Sequence, residues 1–226
     1  MWLILGKCKW KNVVAGGHKK QSDYNKFQLS AIDAFATAQN KCSNDLYIWC
    51  AMQTIINIKK KTVSDYQLLP EGGAYQLLNG EIIMAPAPRR THQKLAGRIH
   101  YLVMAYCDKT SKGEVYMAPF DVYLDDENVV QPDICFISQK NIGILTEEGA
   151  IGSPDIVIEL LSPSNAYYDL LAKYQLYEKY GVKEYFIVNP EDNLVIAYIL
   201  TNGKYIEKYR EHNRITSAIL ETDIIW

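Results

Sequence analysis

Glu159 lies inside Ile156-Val157-Ile158-Glu159-Leu160-Leu161, a run apolar enough for a central β-strand. A carboxylate there gives up its hydration, and an unpaired buried charge is costly enough that it neutralises or finds a cation. Asp133 interrupts a second apolar run, Val130 to Ile137, directly after Pro132, which removes one ladder hydrogen bond. Lys173 falls in a stretch of helical period, within the same stripe as Leu170, Tyr174 and Tyr177, so it is expected to face the sheet. Two acids on neighbouring strands and one amine from a helix are what a hydrolytic Mg2+ (or Mn2+) site needs. Carboxylate oxygens hold a hard cation that keeps several waters. The cation polarises a phosphate and supplies hydroxide, while a lysine orients the water or stabilises charge on the phosphorane.

Each residue also has a plainer reading. Glu159 could pair with an arginine or lie at a sheet edge, and Lys173 could form an (i, i+4) surface pair with Asp169, which contributes only tenths of a kcal/mol. A two-carboxylate glycosidase would use Asp133 and Glu159 but leave Lys173 without a task. Other chemistries lack their motifs: there is no P-loop, G-x-G-x-x-G, HExxH or G-x-S-x-G. Ser162 lacks a nucleophile elbow and reads as a turn residue.

The elements that must position these groups follow from period and punctuation. Thr62 or Ser64 can cap a short helix that stops at Pro70-Glu71-Gly72-Gly73. The strands 74–78 and 81–84 flank Asn79-Gly80, the strongest two-residue hairpin signal. Residues 89–108 form an amphipathic helix with Leu95, Ile99, Leu102, Val103 and Tyr106 as its apolar stripe. Strands are expected over 114–124, 129–138 and 155–161, with a turn at 125–128 and a loop over 139–153. Residues 162–165 supply a loop and an N-cap for a helix over 166–180, and Gly181 ends it. The run 183–189 reads as a strand covered on both faces. Further strands are expected over 194–200, 204–210 and 215–221, the first pair turned by Asn202-Gly203. The order makes an α/β fold, a mixed sheet flanked by helices, α-β-β-β-α-β with extra strands.

The 226 residues are 48% hydrophobic and 22% charged, within globular averages and long enough to bury a core without disulfides. No apolar run is long enough for a membrane span. Five cysteines without CxxC or CxxH spacing read as reduced thiols in a cytoplasmic protein. The formal charge of −2 hides an asymmetry. Residues 1–51 carry seven lysines against three aspartates and no glutamate, a formal +4, which leaves −6 for 52–226. They also hold three of the four tryptophans and no proline, with a short helical pattern over 27–38. Met52 opens a plausible chain start, so 1–51 are expected to be an extension outside the fold, as a misassigned start codon would produce, and 52–226 the organised domain. The competing reading of 1–51 is a small DNA- or partner-binding arm.

From about Thr62 onward, roughly three quarters of the chain, the sequence resembles the Uma-type family of "putative restriction endonucleases" within the PD-(D/E)XK nuclease superfamily. The matching blocks are Tyr75 to Ile82, Ala85-Pro86-Ala87-Pro88 with His92-Gln93, and Ala118-Pro119-Phe120-Asp121-Val122. They continue with Val130-Gln131-Pro132-Asp133, Ile158 to Ser164, and Lys173 ahead of Tyr177 to Tyr185. The resemblance implies a restriction-endonuclease-like core, Pro132-Asp133 as the "PD" and Glu159 as the "(D/E)". Leu161 stands where the linear E-x-K pattern has its lysine, and Lys173 is the matching relocated position. Glu81, His92 and, more weakly, Asp121 fall in matching blocks as further site candidates. The resemblance also implies DNA as substrate, and homodimers are common for it.

Charge argues for restraint about DNA. Arg89, Arg90, Lys94 and Arg98 beside the proposed site, with Lys59-Lys60-Lys61, could contact a few phosphates, whereas nucleic-acid-binding domains typically present a basic face. A catalytically inactive nuclease-fold module that binds nucleic acid or protein therefore stays open as the second reading.

Overall fold

The computed structural model describes residues 60–70, 72–162 and 166–226, with side chains omitted for 166–170. The expectations for 1–51 and for a cap within 163–165 lie outside the described residues. The central feature is a six-stranded sheet in the order β12-β11-β10-β9-β6-β3. Its strands are β3 (Gly113–Met117), β6 (Ile134–Ser138), β9 (Ile156–Leu160), β10 (Glu184–Val188), β11 (Leu194–Thr201) and β12 (Lys204–His212). Strands β9 and β10 run parallel, and every residue of both is buried. Helix α3 (Ala166–Tyr180) makes the crossover between them that a parallel pair requires.

The two faces follow from the strand period of two. Ile156, Ile158 and Leu160 join a cluster with Leu95, Ile99 and Val103 of helix α2 (Arg90–Thr110). Val157 joins the opposite cluster with Tyr174 and Tyr177 of α3, and Glu159 shares its parity. Burying each such aliphatic side chain contributes about 1.5–3 kcal/mol, and that packing holds Glu159 in place against its lost hydration. Helix α3 ends as its sequence dictates. Gly181 takes φ 82°, the Val182 N–H donates to the Tyr177 carbonyl at 3.0 Å, and the Gly181 N–H donates to that of Glu178 at 3.3 Å. This pairing satisfies two terminal carbonyls of the helix.

A second six-stranded sheet has the order β2-β1-β5-β4-β8-β7. It contains β1 (Tyr75–Leu78), β2 (Glu81–Met84), β4 (Val122–Asp125), β5 (Asn128–Val130), β7 (Leu145–Thr146) and β8 (Gly149–Ile151). Asn79 and Gly80 both take positive φ, as the tight hairpin between β1 and β2 demands. The short helix α1 (Val63–Tyr66) is anchored where Asp65 accepts the Thr62 N–H at 3.1 Å.

The structure corrects several boundaries. The single strands expected over 114–124 and 129–138 are each broken in two. Residues 118–121, with a cis Ala118-Pro119 bond, separate β3 from β4, and Gln131-Pro132-Asp133 separates β5 from β6. Each proline leaves the ladder without a donor at the point where the chain passes from one sheet to the other. The long hairpin thus turns a corner, and Asp133 lies at that corner. The loop expected over 139–153 contains a 3-10 helix (Gln139–Ile144) and the paired strands β7 and β8. The expected last strand, 215–221, is instead a hairpin of β13 (Arg214–Ser217) and β14 (Thr222–Ile225), turned through 218–221.

Candidate active site

Strands β6 and β9 pair antiparallel, with Ile134 opposite Ile158 and Cys135 opposite Val157. Continuing that register by one residue sets Asp133 across from Glu159. The corner is tied to the strand by a hydrogen bond from the Leu160 N–H to Asp133 Oδ2 at 2.7 Å. The two acids differ in environment: the Asp133 side chain keeps 20% exposure, that of Glu159 only 6%. One carboxylate opens toward solvent and the other is walled in.

Lys173 reaches the sheet, as its stripe position predicts. Its Nζ donates to Glu159 Oε1 at 2.9 Å, and both side chains are buried. One helical turn on, the Tyr177 hydroxyl donates to the same oxygen at 2.7 Å. Burial pushes the Glu159 carboxyl above the usual range, the Lys173 charge opposes that, and the nearby Asp133 charge adds to it. The same burial, with the Glu159 charge next, pushes the Cys135 thiol up to about 12.

His92, near the start of α2, places Nε2 3.2 Å from Asp133 Oδ2. Burial disfavours its imidazolium, but the hydrogen bond and charge of Asp133 outweigh this and hold its pKa above the usual value. Its Nδ1 is buried without a hydrogen-bond partner among the described residues. His92 thus contacts Asp133, Lys173 contacts Glu159, and the bond from the Leu160 N–H to Asp133 ties the two pairs to one strand.

The other candidates lie elsewhere. Asp121 accepts from the Tyr66 hydroxyl at 2.9 Å and the Gln131 side-chain amide at 2.8 Å. That polar cluster ties α1 to the second sheet. Glu81 is exposed at the start of β2, opposite Leu78. Lys60 and Lys61, which the sequence offers for phosphate contact, pair with Glu127 and Asp65, and Lys59 lies outside the described residues. Sequence reasoning read Tyr177 only as part of an apolar stripe. The missed signal was its position four residues after Lys173, since a buried phenol needs a polar partner.

No cluster of three or more His, Cys, Asp or Glu suited to a metal occurs among the described residues. A closed, four-ligand zinc-type cage is therefore a poor description of this site. Two hard carboxylates at a sheet corner, one still in contact with solvent, fit Mg2+ better, because Mg2+ uses one or two carboxylates and fills its remaining positions with water and substrate oxygen.

A mixed sheet flanked by helices, in this order of elements, is the restriction-endonuclease-like fold. The chain belongs to the Uma2 family, described as "Putative restriction endonuclease", whose model matches residues 63–223. A solved structure described as a "putative nuclease belonging to DUF820", from Anabaena variabilis ATCC 29413, shares the fold. It is 18% identical at a TM-score of 0.55, with the match covering 66% of this chain and 82% of that one. No curated protein matches the chain. None of the described helices is long and apolar enough to cross a membrane.

Proposed function

We propose that the chain is a divalent-metal-dependent endonuclease that hydrolyses DNA phosphodiester bonds. One observation carries this reading: the Lys173 ammonium meets Glu159 in a buried contact at the corner where Asp133 is fixed. Asp133 and Glu159 would hold Mg2+ or Mn2+, which polarises the phosphate and lowers the pKa of a bound water. Lys173, held by the sheet, keeps a positive charge beside the reacting phosphate and offsets the charge that develops on its oxygens. Tyr177 fixes the Glu159 carboxylate from the helix side, so that Lys173 can turn toward substrate without freeing the acid. His92 restrains Asp133 from the other helix. Cys107 and Cys135 are buried and free, which fits a reducing, cytoplasmic setting. A homodimer would present two such sites to the two strands of a duplex.

A second reading has its own support. The Lys173 and Tyr177 bonds to Glu159 describe a self-satisfied group, and 52–226 carries a net negative charge. A module that binds without cutting fits both. Purified protein incubated with plasmid, Mg2+ or Mn2+, and separately with EDTA, decides. Metal-dependent nicking or linearisation that disappears in Glu159→Gln and Lys173→Met is the expected result. Intact DNA and RNA at every metal concentration would favour the binding module.

A further inference from the structure

A groove of about 670 Å³ runs along the outer side of α2 toward Trp226. Thr91 lines one end, next in sequence to His92, whose own side chain turns inward to Asp133. Lys94 and Arg98 line it further on, one turn apart. Both are exposed, and among the described residues neither has an acidic partner and no acidic side chain lines the groove. In a chain of formal charge −2 that is a local reversal of sign.

Tyr101 continues the same helix face and is 54% exposed, with its ring on the groove. Between them stands Gly97, a residue that weakens a helix interior relative to alanine. Close packing does not explain it, because a Cβ added there would meet nothing within 4 Å. What the glycine leaves is room beside the Tyr101 ring.

We propose that this groove on the helix that carries His92 binds an unpaired stretch of nucleic-acid strand. Its phosphates lie on Lys94 and Arg98, and a base stacks on Tyr101 over Gly97. The inference rests on the nuclease reading for identifying the strand as the one that is cut. A cationic track beside an aromatic ring is the general arrangement for single strands, whose bases offer a free face. Duplex bases spend both faces on their neighbours, so a duplex could use the cations but not the ring.

The test is fluorescence anisotropy of labelled oligonucleotides of about 12 nucleotides, DNA and RNA, each single-stranded or as duplex, with the intact chain in EDTA. Single strands are expected to bind tighter than the matched duplex. Gly97→Leu, which fills the groove with a good helix former, and Tyr101→Ala should each weaken single-strand binding by about tenfold, whereas Tyr101→Phe should retain it. Lys94→Ala and Arg98→Ala should each reduce the salt slope by about 0.7. Circular dichroism melts check that these surface variants stay folded. Unchanged affinity in folded Gly97→Leu and Tyr101→Ala, or a preference for duplex, would overturn the proposal. Because EDTA removes metal chemistry, the two readings fail separately. Groove-dependent binding by a protein that never cuts supports the groove and defeats the nuclease reading. Cutting by a protein whose binding ignores Gly97→Leu and Tyr101→Ala defeats the groove alone.

Discussion

At the entry to β9, Asp155 accepts the Ser138 N–H at 2.8 Å and pairs with Lys183, whose side chain remains 62% exposed. At the far end of the strand, four residues on, Glu159 meets a buried lysine and a buried tyrosine, with a second acid across the ladder. Burial raises the pKa of each group. At Asp155, Lys183 and the Ser138 bonds outweigh burial and hold the carboxyl below its usual value. At Glu159 burial wins. Glu184 on β10, opposite Ile156, belongs with the first end. Although raised by burial, it accepts the Ser217 hydroxyl at 2.5 Å and the Ala218 and Ile219 N–H groups at 2.8 and 3.1 Å. Donors fixed by the backbone, or a cation facing water, make a carboxylate structural. A carboxylate enclosed with a helix-borne amine and beside another acid is poised for chemistry, because its charge can be redistributed when a ligand arrives.

The sharpest way to break this contrast is to exchange charge for neutrality at each end. Glu159→Gln should lower metal-dependent DNA hydrolysis by about 100- to 1000-fold in a plasmid-nicking time course, the scale for removing a charge-stabilising group. Asp155→Asn and Glu184→Gln should leave the rate per folded molecule unchanged. Lys173→Met is comparable in free energy. Removing one partner of a buried pair strands the other, so urea denaturation should report about 3–5 kcal/mol of destabilisation. The double variant Glu159→Gln/Lys173→Met should recover much of it. Smaller is the cost of Asp155→Ala, about 1–3 kcal/mol, because it leaves the Ser138 N–H without an acceptor. Tyr177→Phe removes one bond to Glu159 and should cost about 1 kcal/mol.

Acid separates the two structural carboxylates by sign. The folded pKa of Asp155 lies below its unfolded value, so its stabilisation is present at neutral pH and is lost as pH falls through the folded pKa. The gap between parent and Asp155→Asn should therefore shrink in acid. The folded pKa of Glu184 lies above its unfolded value, so its contribution is fully present below the unfolded pKa and is lost as pH rises through the folded one. The gap between parent and Glu184→Gln should shrink in the opposite direction. Chemical denaturation between about pH 3 and pH 8 reads both slopes.

The contrast also explains what the sequence made legible. Glu159 and Lys173 were visible because each violates a period, a charge within an apolar strand and an amine within an apolar helical stripe. Helix α3 and strand β10 were legible for a related reason, since Gly181 stops one cleanly and an unbroken apolar run marks the other. The corner at Asp133 was not. Residues 129–138 look continuous in a local pattern, and only the pairing partners reveal that β5 and β6 belong to different sheets. Pro132 does cost a ladder bond, and the same position also marks a change of sheet. Contacts between a helix and a sheet corner distant in sequence, such as His92 on Asp133, leave no periodic trace, and resemblance named His92 without giving its partner. Asp155 and Glu184 leave no such trace because the donors they need are backbone N–H groups, a serine hydroxyl and an exposed lysine, supplied by the fold rather than by a motif.

The most direct measurement is a calorimetric titration of Mn2+ into the parent protein, Asp133→Asn and Asp155→Asn under identical buffer conditions. The nuclease account predicts Mn2+ binding by the parent and by Asp155→Asn, with that binding abolished in a folded Asp133→Asn. Equal binding by all three, or heat from none of them, would contradict it.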